Sequence, residues 1–146
     1  MLSLPDSTFV YESSFPAPPG DELSLVRRAV AAPAGSPPLA QLVAKRRPGK
    51  VVVVTSDITR PIPYSRFLPG LLHDIEEMGV ARGDILVLVA TGMHRASSAA
   101  EHREMFGDLV VDSYQIIDHD AADESQLCVL SGQSWSGARV KLIRHA

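Results

Sequence analysis

The chain has 146 residues, 45% of them hydrophobic and 21% charged, and its 14 Lys and Arg against 17 Asp and Glu give a formal net charge of −3. That length suits one domain with a sizeable core, and the acidic balance supplies no basic field for a nucleic-acid backbone. A single cysteine excludes an internal disulfide and a multi-cysteine zinc site. The absence of a signal-peptide pattern and of any membrane-length apolar run leads to an expected cytoplasmic location with no membrane partner.

Residues 1–20 carry four prolines and read as an amino-terminal edge segment and linker, with a short edge strand at Thr8-Phe9-Val10-Tyr11. Residues 21–146 read as one α/β domain. Asp21 caps a first helix whose apolar face is Leu25, Val26, Ala29 and Val30, and Pro33 stops it. Ser36 with Pro37 at the first helical position starts a second helix through Leu39, Leu42 and Val43. Pro48-Gly49 then turns the chain into Val51-Val52-Val53-Val54. That run and Ile85-Leu86-Val87-Leu88-Val89 read as strands buried on both faces, the pattern of a parallel sheet. Between them a helix from Ser65 to Met78 presents Leu68, Leu71, Leu72 and Ile75, with Pro69 near its first turn and Gly79 at its end. Strand, helix and strand form a crossover expected to be right-handed.

Ser98 and Glu101 have capping-box spacing for a further helix that Gly107 closes. Tyr114–Ile117, Leu127–Leu130 and Ala138–Ile143 read as more strands, with a turn at 132–137 and Trp135 packed rather than catalytic. Cys128, in Leu127-Cys128-Val129-Leu130, reads as a buried structural thiol. The expected fold is an open, mostly parallel α/β sheet with flanking helices, Rossmann-like and three-layered.

The residues with chemical potential leave the ends of the two apolar runs. Ser56-Asp57-Ile58-Thr59-Arg60-Pro61-Ile62-Pro63 leaves the first, and Ala90-Thr91-Gly92-Met93-His94-Arg95 leaves the second. Ligands of open parallel sheets sit outside the carboxyl ends of strands, so Asp57, Thr59, Arg60, His94 and Arg95 are expected in one crevice. Arg60, stiffened by Pro61 and Pro63, is either a fork for a carboxylate or phosphate or an exposed arginine paired with a nearby acid. Asp57 and Thr59 either hydrogen-bond their own turn or touch the hydroxyls of a nucleotide-like cofactor. Gly92 lets backbone approach a ligand. His94 suits proton transfer near neutral pH, and Arg95 pairs with an acid or holds the loop.

His73 and His102 are expected on solvated helix faces. Asp118-His119-Asp120 with Asp123 and Glu124 imitates a cation site, but the spacing matches no ligand set and a solvated acidic loop is the preferred reading. Phosphate-cradling glycine loops and a Gly-x-Ser-x-Gly elbow are absent, which weighs against ordinary dehydrogenases, kinases and serine hydrolases.

Ser-Asp-x-Thr-Arg-Pro-x-Pro, a helix, a strand and Ala-Thr-Gly-x-His-Arg, in that order, resemble the amino-terminal part of the nickel-dependent lactate racemase family. Gly35-Ser36-Pro37-Pro38-Leu39, Ser97-Ser98 and Glu101 extend the likeness over roughly residues 29–107. The resemblance implies an isomerase that moves a hydride from and back to the α-carbon of a small 2-hydroxy acid such as lactate, using a nickel-pincer nucleotide. It gives His94 the role of one of two acid/base histidines and Arg60 that of carboxylate ligand. It gives Asp57 and Thr59 cofactor contacts, with Arg95 and Gly92 in support and no metal ligand. The second histidine, the cofactor-bearing lysine and the nickel-binding histidine are expected in a following part of the parent protein, since Lys141 and His145 match none of those motifs. By this reading the chain alone is inactive and holds no tightly bound cofactor. The alternative is a non-catalytic anion- or nucleotide-binding α/β domain.

Overall fold

The computed structural model describes residues 5, 8–9, 20–134, 136–137 and 139–143. Two amino-terminal helices, α1 (Glu22–Ala31) and α2 (Leu39–Arg46), precede β1 (Val51–Ser56), α3 (Tyr64–Glu77) and β2 (Ile85–Ala90). Then come α4 (Ala99–Phe106), α5 (Asp108–Ser113), β3 (Gln115–Asp118), β4 (Leu127–Gln133) and β5 (Arg139–Ile143). The first three strands form one parallel sheet in the order β1-β2-β3, with Val51 opposite Ile85 and Val89 opposite Asp118. The expected α/β architecture with a parallel sheet and flanking helices is what forms. β4 and β5 do not extend it: they pair antiparallel as a separate two-stranded sheet, with Gln133 opposite Arg139.

The core grows from the side-chain alternation of β2. Ile85, Val87 and Val89 point to one face and meet Leu68, Leu72 and Ile75 of α3, Met105 and Phe106 of α4 and Val110 of α5. Leu68, Leu72 and Phe106 are at most 1% exposed, and each such side chain contributes roughly 2 kcal/mol by leaving water. Leu86 and Leu88, of opposite parity, are buried too, so β2 is covered on both faces as its unbroken apolar run requires. β1 departs from that reading: it is an edge strand, and Val54 is 57% exposed. Four valines in a row look alike in sequence, yet only central strand neighbours bury both sides.

Helix ends follow local chemistry. Asp21 accepts the Ser24 amide at 2.8 Å, and Ser98 with Glu101 makes the reciprocal capping box. α2 begins at Leu39, later than expected, because Pro38 takes the N-cap position. Pro69 is the sixth residue of α3, in the second turn rather than the first. The helix continues through it, forgoing one backbone bond. α5 carries no clear signal in the sequence; it follows α4 directly after Gly107. Cys128 is half-buried rather than buried. Thr8 and Phe9 are not in a strand, Phe9 being exposed, whereas Val10, Tyr11 and Trp135 lie outside the described residues. Among the described residues no helix is long and apolar enough to cross a membrane.

Candidate active site

The three parallel strands end side by side at Ser56, Ala90 and Asp118, and their exit loops form one rim. The loop after β1 is wound tight. The Arg60 amide donates to the Asp57 carbonyl at 3.1 Å, Ile62 N–H to Arg60 O at 2.7 Å, and Tyr64 N–H to Ile62 O at 2.8 Å. The last two are three-residue turns centred on Pro61 and Pro63, and Pro63, at φ −78° and ψ 57°, has inverse γ-turn geometry. Proline fixes φ for such turns, so Arg60 is held on a stiff segment. Tyr64 pins the loop's far end: its hydroxyl accepts the Ser56 amide at 2.7 Å and lies 2.9 Å from Ser56 Oγ. The ring is buried 5.7 Å from Phe67 and 5.5 Å from Phe106. Tyr64 is a residue that sequence reasoning misses, because a tyrosine beside a proline carries no signal of a partner eight residues earlier.

The loop after β2 turns at Gly92, whose φ of +61° suits glycine. A Cβ there would meet no chain atom within 4 Å, so within the chain the requirement is conformational. His94 N–H closes the turn on Thr91 O at 3.0 Å. The buried Thr91 hydroxyl donates to the His119 carbonyl, and His119 N–H donates to Val89 O at 3.0 Å, tying this loop to the one after β3.

Asp57 joins the first two loops. It is 6% exposed. Its Oδ1 accepts the Thr59 hydroxyl at 2.6 Å and the Thr59 amide at 3.3 Å, and its Oδ2 accepts from His94 Nδ1. The Thr59 hydroxyl, then the His94 hydrogen bond, holds the Asp57 carboxyl below its ordinary range against the opposing effect of burial. An ionised carboxylate only accepts, so His94 Nδ1 carries the proton and Nε2 is the ring's basic nitrogen. The His94 ring is 59% exposed.

Two shallow cavities meet at the Asp57–His94 pair. One, of about 220 Å³, is bordered by Arg60, Thr91, Gly92 and His94; the other, of about 280 Å³, by Ile58, Arg95, Ser97 and His94. Asp57 and Thr59 border both. Arg60 borders one cavity and Arg95 the other, with the Asp57–His94 pair common to both. Arg60 is exposed and forms no ion pair among the described residues. Arg95 has its fork on Glu101, at 2.8 and 2.7 Å, and is thus paired with an acid. Arg95 first, then the Ser98 backbone, lowers the Glu101 carboxyl to about 2.

Two expectations are corrected beside this rim. His102 is not solvated: its side chain is 16% exposed and Nε2 lies 2.6 Å from Asp118 Oδ2, outside hydrogen-bond geometry. Asp118 and His119 belong to the interior rather than to a solvated acidic loop. Asp118 Oδ1 accepts the Ser97 amide at 3.0 Å, and His119, 6% exposed, leaves Nδ1 without a hydrogen-bond partner. No alternation marks them in the sequence, since β3 reads Gln-Ile-Ile-Asp and His119 follows its end. Asp120 and Asp123 cap local turns, and Glu124 pairs with Lys141. His73 is exposed, as expected, and His145 lies outside the described residues. Among the described residues no three His, Cys, Asp or Glu side chains converge as a metal site.

The family model described as the lactate racemase N-terminal domain matches residues 1–146. The lactate racemase of Thermoanaerobacterium thermosaccharolyticum is 31% identical over 83% of this chain and 28% of its own length; that of Lactiplantibacillus plantarum is 34% identical over 80% and 26%. The structure of the lactate racemase apoprotein from T. thermosaccharolyticum superposes with a TM-score of 0.72 at 31% identity, covering 85% of this chain and 29% of that one. The chain thus spans little more than a quarter of the length of these relatives. It belongs to the lactate racemase N-terminal domain family.

Proposed function

We propose that this chain is the amino-terminal domain of a 2-hydroxy-acid racemase or epimerase and supplies that enzyme's carboxylate ligand and one of its acid/base groups. The carrying observation is the Asp57–His94 pair beside an arginine with no acid partner among the described residues. With Nδ1–H donated to Asp57, Nε2 is available to accept the hydroxyl proton of a 2-hydroxy acid. Arg60, on its proline-stiffened loop, receives the substrate carboxylate through a two-pronged, charge-assisted contact. Once the hydroxyl proton is on Nε2, Asp57 stabilises the resulting imidazolium, and the same nitrogen returns the proton when the hydroxyl is restored.

The family's nickel-pincer nucleotide supplies a hydride acceptor and donor for the α-carbon. The described residues do not fit the nickel itself, because no donor set converges. They fit at most a hydroxylated portion of the nucleotide, through the exposed Thr59 hydroxyl, because both Asp57 oxygens are already engaged. A racemase needs an acid/base group for each enantiomer, and only His94 is so placed among the described residues, so the chain by itself is expected to be inactive.

The test is His94→Gln in the protein as its gene encodes it, with D- and L-lactate separated by chiral chromatography. Turnover should fall on the order of 10²–10⁴-fold. Unchanged turnover would refute the role. A protein that never racemises lactate but binds phosphate or acetate through Arg60 would establish the anion-binding alternative.

A further inference from the structure

Around the second exit loop, three carboxylates from three different places hold the segment from His94 to Ser98. Asp57, after β1, holds His94; Glu101, in the first turn of α4, holds Arg95 and the Ser98 amide; and Asp118, the last residue of β3, holds the Ser97 amide at 3.0 Å. Asp118 differs from the other two in being sited in the sheet. Its side chain is 10% exposed, and its second oxygen faces His102 Nε2 at 2.6 Å from the adjoining helix. His102 in turn lies with its ring centroid 6.1 Å from that of Phe106, a fully buried core residue. A chain of contacts therefore runs from the core through His102 and Asp118 to Ser97, three residues beyond His94 and on the wall of the same cavity.

We propose that Asp118 is a positioning residue for His94. It rests on the acid/base reading of His94 above. The nearly buried carboxylate fixes the Ser97 end of the loop, while the turn at Gly92, closed by His94 N–H on Thr91 O, holds the other end. The Asp57–His94 hydrogen bond then forms only where the loop is held at both ends. His102, packed against Phe106, stands against the carboxylate's second oxygen without a hydrogen bond and limits where that oxygen can move. A purely structural role for Asp118 as a helix-entry anchor would stabilise α4 without altering the protonation site on His94, and this separates the two.

The experiment compares wild type, Asp118→Ala, Asp118→Asn and His94→Gln in the protein as its gene encodes it. Two readouts are used: lactate racemisation, and the ring nitrogen shifts of His94 by long-range proton–nitrogen NMR. Asp118→Ala should lower kcat by about tenfold to a hundredfold with KM within about threefold, since small misplacements of a reacting group cost that much. It should also shift His94 from the Nδ1–H tautomer to a mixture. Asp118→Asn, which keeps an oxygen acceptor for Ser97, should recover most of both. If Asp118→Ala does not fold, His102→Phe replaces it, keeping a ring against Phe106 while removing the nitrogen from the carboxylate; a drop in kcat with a mixed His94 tautomer is again expected. A folded Asp118→Ala or His102→Phe with wild-type kcat and an unchanged tautomer would overturn the proposal, as would Asp118→Asn no better than alanine. Full turnover in His94→Gln would instead remove the acid/base reading itself, while the tautomer readout would still decide whether Asp118 orders the loop.

Discussion

The two ends of the parallel sheet treat their arginines differently. At the amino end Arg82, just before β2, closes on Glu76 at 2.6 and 3.1 Å; Tyr114, just before β3, donates to the same carboxylate at 2.9 Å; and the guanidinium sits 5.6 Å from the Tyr114 ring centroid. Each of these polar groups has found its partner inside the chain. At the carboxyl end Arg60 has no acid partner among the described residues, and Asp57 satisfies its two oxygens with a threonine and a histidine rather than a cation held for good. Both ends belong to the same strands and differ by about six residues of rise. On the function proposed above, what separates them is use: ion pairs closed on themselves hold the fold, whereas an arginine and an imidazole nitrogen left open are kept for a substrate.

The largest effect that would break this contrast is expected at Asp57. Asp57→Asn can present an amide N–H to His94 Nδ1, favouring the tautomer in which Nε2 is protonated and can no longer accept a proton. Turnover in the whole protein should fall on the order of 10²-fold or more, by the logic of a wrong histidine tautomer. Stability should change much less than activity. Unaltered turnover, measured by chiral separation of lactate, would mean that the pair is a structural link only.

Arg60 and Arg82 then form a reciprocal test. Arg60→Ala should raise KM for the hydroxy acid, with a loss in kcat/KM of about 2 kcal/mol, roughly thirtyfold, and leave Tm nearly unchanged. Arg60→Lys should restore only part, since the planar fork is gone. Arg82→Ala should do the reverse, leaving KM alone and lowering Tm slightly. If Arg60→Ala shifts Tm and spares KM, the two ends are not functionally distinct.

Which of these features is visible in the sequence depends on the range of the interactions. The β1 and β2 runs, the loops that leave them and the Ser98–Glu101 capping box are encoded by neighbours and by period, so the chain alone places them. The Asp57–His94 proximity is legible because parallel strands must end on the same side. The His102–Asp118 contact, the Tyr64 clamp on Ser56 and the exposure of Val54 are not, because each depends on how separate elements dock, which no local pattern states. For the same reason β4 and β5 read as strands but not as a separate sheet. Of the candidate residues, Arg95 shows the limit most plainly: its type suits an anion, and only the position of Glu101 in the first turn of the next helix shows it already engaged.

A smaller effect is expected at Gly92. With nothing within 4 Å of an added methyl, Gly92→Ala meets no clash, and its cost is confined to holding a φ of +61° with a side chain, about 1 kcal/mol. Urea unfolding should show that loss with an unchanged m-value. A much larger loss would mean that the turn is packed more tightly than the open space around it allows.

The smallest expected effect sharpens the amino-end half of the comparison and has a definite sign in pH. Arg82 first, with Tyr114 and the nearby His73 adding to it against the cost of burial, lowers the Glu76 carboxyl from an ordinary 4.5 to about 2. A carboxyl depressed by folding stabilises the native state fully above its unfolded value, and that contribution drains away as pH falls toward the folded value. The difference in Tm between wild type and Glu76→Gln should therefore be level from about pH 7 to about pH 5.5, narrow through about 4.5, and nearly vanish by about 2. Glu101, also held at about 2 by Arg95, adds a parallel slope to both proteins and cancels in the difference. A gap that stays whole down to about pH 2 would show that the charge on Glu76 has no share in it.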